Sequence, residues 1–437
     1  MAPRKRTVAL IAAALVLVSS STAYGAHERA GGPGAGGGVR SITPITEVYT
    51  YGQKVAAVAV EYADTVNPHT LDRRTFTVSD TIYNFRFNPI EDLPKMAERT
   101  VTRVYTNSGP TTRADHRSVR GRFVIVELDP ADTGGWTVIV SKCPTFLCTV
   151  KVNPDLPTTI VQRKDVHAQP GRGKGKGPVL AKAAPHRTLR MTEEPVNLMV
   201  DQFTYGSFLS GGMVLPYHYH LPKNYDPRRK YPLMVVLPGH GMGWDGDNTG
   251  VQIAADIPAT AWLQPQWTGS REDVIVLAPQ NQRVGAVAET DLLVKMMDQF
   301  VKDFAVDTDR VYGTTVSYGS QLLWQAFAAR PGLFTAGLVT GGFQVGAAQA
   351  TAIAAAGTPV WITHGVNDHL LNISLARNSR QALQDAHRAA GRTPEQIADL
   401  VRYTEYGNEA FTLPDYHAAY GPTYADRDIL RWLLGQR

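Results

Sequence analysis

From Ile42 to about Val166 the apolar residues fall in short runs rich in β-branched and aromatic side chains. Lys54–Tyr62, Thr75–Val78, Thr100–Tyr105, Arg122–Leu128 and Thr137–Val140 are such runs. Polar stretches containing Gly, Pro, Asp and Asn separate them, with no helical period of useful length between. Short strands at this spacing predict an all-β immunoglobulin-like sandwich. Beyond about Pro195 the pattern changes. Leu233–Leu237 and Val274–Leu277 are continuous apolar runs, as parallel strands buried on both faces require. Apolar positions 292, 293, 296, 297, 300, 301 and 304 share one face of a helix between Thr290 and Phe304. Thr358–Thr363 and Leu400–Tyr406 read as strands, Leu338-Val339 as part of another, and Tyr424–Leu434 as a closing helix. Strands alternating with helices predict a doubly wound α/β sheet, with its active site beyond the carboxyl ends of the strands.

The expected division is a signal peptide at 1–25, a disordered Gly-rich segment at 26–41 and the sandwich at 42–165. A basic Gly-rich linker or loop follows at 166–194, and the α/β domain at 195–437. The leader has Arg4-Lys5-Arg6, the apolar run Val8–Val18 and Ala23-Tyr24-Gly25 before Ala26. An apolar core of 11 residues is short of the roughly 18 of a spanning helix, so cleavage is expected rather than anchoring. This predicts a secreted, extracellular protein without stable membrane insertion. In an exported chain Cys143 and Cys148, so close together, favour one disulfide over two reduced, buried thiols. Zinc needs more ligands than this pair offers. The net charge of +5 does not mark a nucleic-acid binder: Arg4-Lys5-Arg6 carries +3 and residues 163–190 carry +7, leaving −5 on the rest. The run Gly171–Gly177 reads first as solvated chain, with contact to an anionic cell surface as the second reading.

The chemistry concentrates after the β-rich run Asp309–Val316. Thr315-Val316-Ser317-Tyr318-Gly319, followed by helix-forming Gln321–Phe327, has the form of a nucleophile elbow, T-x-S-x-G where G-x-S-x-G is usual. Such a turn exposes Ser317 Oγ at the sheet edge, beside a helix N-terminus able to stabilise an oxyanion. In α/β-hydrolases the chain order is Ser, then Asp or Glu, then His. Asp368 sits in the loop just past the strand Thr358–Thr363, and His417 in the loop after Leu400–Tyr406, at spacings of 51 and 49 residues. These predict Ser317 as nucleophile, His417 as general base and then acid, and Asp368 as its orienter. Asp415 and Glu405 are the weaker alternatives for the acid. The loop Pro238–Asn248 is expected to give one oxyanion N–H, around His240 or Gly241, and Tyr318 the other. Trp244, Trp267 and Phe343 fall at the same end and fit either an acyl or aromatic pocket or core packing. His218 and His220 alternate on one strand face without a third ligand at motif spacing, so no metal is expected.

With these residues in place, the chain resembles a known group. Tyr231–Gly241, Leu277-Ala278-Pro279-Gln280, Val306–Tyr312 and Val316-Ser317-Tyr318-Gly319 look like the secreted esterase or "predicted peptidase" group, related to polyhydroxybutyrate depolymerases and feruloyl esterases. Ile45–Val48 through Phe76–Asp80 resembles the immunoglobulin-like N-terminal domain of such esterases. The resemblance covers most of 42–437. It departs from the pattern at Pro238-Gly239, where His-Gly is usual, and at Thr315. It implies an α/β-hydrolase domain behind an all-β immunoglobulin-like sandwich, and a secreted carboxylic ester hydrolase with a Ser-His-Asp triad, an acyl-enzyme and no cofactor. The substrate class it implies is an ester, including polymer or plant-derived esters. Other readings are a prolyl oligopeptidase-like serine peptidase, an acyltransferase acting on a sugar or lipid, and a non-catalytic secreted binding protein, which Thr315 invites. Natural substrate and oligomeric state are not encoded legibly.

Overall fold

The computed structural model describes residues 38–82, 95–142, 148–171, 175–269, 272–282, 286–412 and 415–437. The expected signal peptide and Cys143 lie outside them. Among the described residues, the regular elements of the first half are nearly all strands. The strands are β1 (Val39–Tyr49), β2 (Gly52–Tyr62), β3 (Phe76–Ile82), β4 (Lys95–Arg99), β5 (Val101–Asn107), β6 (Phe123–Leu128), β7 (Val138–Lys142), β8 (Thr149–Val152) and β9 (Thr159–Gln162). Short strands β10 (Val166–His167), β11 (Val179–Ala181), β12 (Leu189–Arg190) and β13 (Val196–Asn197) follow. One sheet runs β13-β1-β2-β6-β5 and a second β12-β9-β3-β4. Their facing side chains make one core, in which Val58, Val60 and Val126 meet Phe76, Val78 and Ile160. The alternate residues of β2, Ala57 and Ala59, turn the other way and pack with Ile45, Tyr105 and Ile125. β2 reads as a nearly continuous apolar run because both its faces are covered.

Two stretches differ from expectation. β1 starts at Val39, so the last residues of the expected disordered segment are strand. The tract expected as linker or loop is hydrogen-bonded to the sandwich along its described residues. Gln162 Nε2 donates to Ala181 O (3.1 Å), Asn67 Nδ2 to Lys176 O (3.2 Å), and β12 pairs with β9. The bonds accept at main-chain carbonyls, which a Gly/Lys-rich composition does not announce.

The second half opens with the hairpin β14 (Thr204–Ser210) and β15 (Met213–His220), then β16 (Tyr231–Leu237), β17 (Ile275–Pro279), β18 (Val306–Val316), β19 (Ala336–Thr340), β20 (Val360–Gly365) and β21 (Val401–Tyr406). They form one sheet, ordered β14-β15-β17-β16-β18-β19-β20-β21, antiparallel through the first two pairings and parallel from there. The helices are α1 (Val251–Ala254), α2 (Pro265–Thr268), α3 (Ala286–Asp303), α4 (Gly319–Ala329), α5 (Ala347–Ala356), α6 (Ser374–Ala389), α7 (Pro394–Leu400), α8 (Tyr420–Ala425) and α9 (Arg427–Leu434). β16 explains the layering. Leu233, Val235 and Leu237 face a core built with α3 to α7, while Met234 and Val236 face one built with α1, α8 and α9. The closing helix expected from Tyr424 is two helices, because Asp426 leaves helical geometry and its carboxylate caps α9 by accepting from Asp428 N and Ile429 N.

The described residues form one compact unit. The hairpin β7–β8 leaves the sandwich and packs Val138 and Val150 against Val251, Ala254, Ala255 and Met242 of the α/β half.

Candidate active site

β18 is buried along its second half and delivers Ser317 immediately past its carboxyl end. Ser317 has φ 51°, one of two positive-φ non-glycine residues among those described. That left-handed conformation costs about 1–2 kcal/mol and needs support from its surroundings. Here Ser317 N donates to Thr340 O at 3.0 Å, and Ser320 Oγ donates to Ser317 O at 2.6 Å. Ser320 Oγ in turn accepts from Phe343 N at 2.8 Å. The threonine at the first elbow position fits because Gly319 has no Cβ. A Cβ there would lie 2.5 Å from Thr315 Oγ1 and 2.6 Å from Leu237 O.

Asp368 follows β20, and its carboxylate is buried and held by four donors. Oδ2 accepts from His417 Nδ1 at 2.8 Å, and Oδ1 from Leu370 N and Leu371 N at 2.8 and 2.9 Å. The fourth donor is His364 Nε2, 3.1 Å from Oδ2 and 2.8 Å from Leu371 O. Burial alone would push the Asp368 carboxyl up. The hydrogen bonds from His364 and His417, the attraction of His417 and the Leu371 N–H outweigh it and hold the carboxyl well below the usual range. Gly341, at φ 54° just past β19, leaves space for this pair: a Cβ there would lie 3.2 Å from His417 O and 4.0 Å from Asp368 Oδ2. Asp415 touches the main chain of His417, accepting from its N–H at 3.2 Å. Glu405 is engaged by Arg377.

The loop after β16 turns through a 3-10 turn, His240–Met242, capped by Gly239. The Gly239 Cβ position lies 3.6 Å from Ser317 Cβ, so this loop borders the nucleophile candidate. The His240 ring meets the Tyr318 ring edge-on at 5.9 Å, and Tyr318 Oη donates to buried Glu289 at 3.2 Å. Tyr318 caps α4. The far side of the loop rests on the β-domain. Thr149 Oγ1 donates to Asp245 Oδ2 (2.8 Å), Asn248 Nδ2 to Val150 O (3.2 Å), and the Gly241 Cβ position is 3.2 Å from Cys148 O. Within the loop Asn248 Nδ2 also donates to Gly243 O at 2.8 Å.

The structure therefore joins Asp368 to His417, sets Ser317 in an elbow, and brings the His240–Gly241 turn and Tyr318 to that elbow. Trp244 lies in the same loop, its main-chain N–H donating to Asn281 O at 2.8 Å, and the Phe343 main chain lies against the elbow. Of the two readings open for Trp267, the structure shows core packing: it is partly buried against the cluster that holds Tyr424, Ile429 and Leu433. His218 and His220 lie tilted against Tyr205 and Phe203, and burial lowers His218 to about 4. The residue that sequence reasoning passed over is His364. Its signal was present, a histidine at the end of a strand four residues before the acid.

Residues 41–173 match the family model for the esterase immunoglobulin-like N-terminal domain. Among solved structures, a thermostable esterase superposes with TM-score 0.72 at 25% identity, over 91% of this chain and 99% of its own. The feruloyl esterase module from Clostridium thermocellum, complexed with sinapinate, matches over 54% of this chain and 88% of its own at 12% identity and TM-score 0.41. No curated protein matches the chain in sequence. The chain thus has an immunoglobulin-like N-terminal β-domain followed by an α/β esterase fold.

Proposed function

We propose that this chain, a carboxylic ester hydrolase with an α/β fold behind an esterase immunoglobulin-like domain, cleaves its substrates through Ser317, His417 and Asp368. The observation that carries the reading is the 2.8 Å bond from His417 Nδ1 to a buried Asp368, on the sheet edge where Ser317 sits at φ 51°. With Nδ1 tied to the carboxylate, Nε2 remains to accept the Ser317 proton. Ser317 Oγ attacks the ester carbonyl, and the oxyanion rests on main-chain N–H groups of Tyr318 and of the His240–Gly241 turn. The imidazolium returns its proton to the departing alcohol, and an acyl-enzyme remains. Water, deprotonated by His417, releases the acid.

The charge that builds on His417 faces a carboxylate already ionised and fully hydrogen-bonded, so little reorganisation accompanies the proton transfer. Half-buried Trp244 and the Phe343 segment border the acyl or alcohol side. The same reading includes secretion, a Cys143–Cys148 bridge beside the oxyanion loop, and an ester substrate of polymer or plant origin. The β-domain takes no chemical part; it holds the loop.

Ser317→Ala tests the assignment. Turnover of p-nitrophenyl butyrate should fall by about 10⁴-fold or more with the fold retained. A fluorophosphonate should label the native protein and not the variant. Undiminished hydrolysis by Ser317→Ala would remove Ser317 from the mechanism.

A further inference from the structure

We propose that His364 is a positioning residue for the acid–base pair: a second imidazole on the Asp368 carboxylate that fixes its orientation and limits its basicity. The inference rests on the triad reading. His364 is the penultimate residue of β20 and its side chain is fully buried. Both neighbours of its Nε2, Leu371 O at 2.8 Å and Asp368 Oδ2 at 3.1 Å, are acceptors, so Nε2 carries the hydrogen. His364 Nδ1 is buried without a partner. A native structure tolerates such an orphan where the group earns its place elsewhere, and the only polar contacts shown for this ring are the Leu371 carbonyl and Asp368.

The chemical consequence follows from counting donors. Without His364, Oδ2 would accept from His417 alone and its negative charge would be less dispersed. The carboxylate would then bind a proton more tightly and hold imidazolium more strongly. With His364, the Nδ1 proton stays on His417 and the pair releases the Nε2 proton more readily to the leaving alcohol. His364 also ties the carboxylate to the strand end, so its rotamer is set from β20 as well as from the loop. The other titratable groups around the pair are few. Asp415 accepts from His417 N, His369 is exposed, and Glu405, across from His364 on β21, is held by Arg377. Tyr406, on the same strand, is pushed up to about 12 by burial.

The sign of the pH effect is fixed by this arrangement. Removing one donor from an ionised acid raises its proton affinity, so the acid limb of kcat/KM moves to higher pH. His364→Leu should lower kcat about 10- to 100-fold, the worth of one hydrogen bond to a charged group. KM should stay nearly unchanged, and the acid limb should move up by about one unit. His364→Gln, whose Nε2 overlays the lost donor, should keep near-native kcat and profile. His364→Asn, with its donor displaced to the Nδ1 position, should resemble the leucine variant. Should leucine prevent folding, the Gln–Asn contrast decides. Equal losses in Gln and Asn with an unmoved acid limb mean a packing role and overturn the proposal. Ser317→Ala separates the premises: activity surviving there sinks the triad, whereas a dead Ser317→Ala beside a native-like His364→Leu sinks only this inference.

Discussion

The two sides of the candidate site are fastened in different ways. On the acid–base side, every donor shown on Asp368 comes from β20, from the loop that follows it or from the His417 loop. That corner belongs wholly to the α/β domain. On the side proposed for the oxyanion, the loop from Gly239 to Asn248 is held partly by Thr149, Val150 and the Cys148 carbonyl of the other domain. A corner built from adjacent strand ends inherits its precision from sheet register. A loop clasped across a domain boundary inherits it from docking. The immunoglobulin-like domain therefore backs the loop that borders Ser317.

The comparison breaks first at Asp368. Asp368→Asn puts an amide where four donors converge, and kcat should fall about 10⁴-fold while the loop side stays folded. Steady-state kinetics beside amide exchange over residues 239–248 read both sides; a variant retaining a tenth of native turnover would show that the corner is not central. Next is Asn248→Ala. This side chain, 2% exposed, bridges Val150 O and Gly243 O. Leaving those carbonyls unpaired should cost about 1–3 kcal/mol, and the loosened loop should lose about 10- to 100-fold in kcat. Thermal melting and amide exchange should change together with kcat. If Tm falls and kcat holds, the clasp is structural only.

Thr149→Val removes one hydroxyl donor with little change of shape. It should cost about 1 kcal/mol and a few-fold in kcat. Combined with Asn248→Ala it sharpens the comparison, because two clasps on one loop should couple by more than about 0.5 kcal/mol. Strict additivity would mean that they act on separate elements. Lys142→Ala is the smallest. Lys142, half exposed, lies 3.7 Å from Asp245 and 3.5 Å from Asp247. The pair with exposed Asp247 contributes at most about 1 kcal/mol, and Lys142 itself is half exposed, so kcat should change less than about twofold, and most of the difference should vanish in high salt.

Much of the α/β domain was legible because its signals are local. Apolar runs gave the buried parallel strands, the 292–304 periodicity gave α3, and a serine in a turn between strand and helix gave the elbow. The chain order of serine, acid and histidine put Asp368 and His417 at neighbouring strand ends, and a 2.8 Å bond joins them. What was not legible depends on contacts far apart in the chain or on main-chain acceptors. His364 stood next to the right residues, yet only the bend of the chain after β20 shows that Nε2 reaches Asp368. Gly175-Lys176 reads as solvated because its hydrogen bonds use carbonyls. Loop position left Trp267 open between pocket and core, and only its long-range neighbours place it against the core. No periodicity encodes Thr149 against Asp245.

That last contact also has a meaning in time. Thr149 and Asp245 are 96 residues apart, and Val150 and Asn248 are 98 apart. During synthesis the hairpin is finished well before the loop it clasps has emerged, and each domain condenses before the two meet. On the proposed mechanism, turnover is then expected only after the two have docked. Refolding from denaturant should show tryptophan burial first and ester hydrolysis later, with the lag measuring how long the two domains take to find each other.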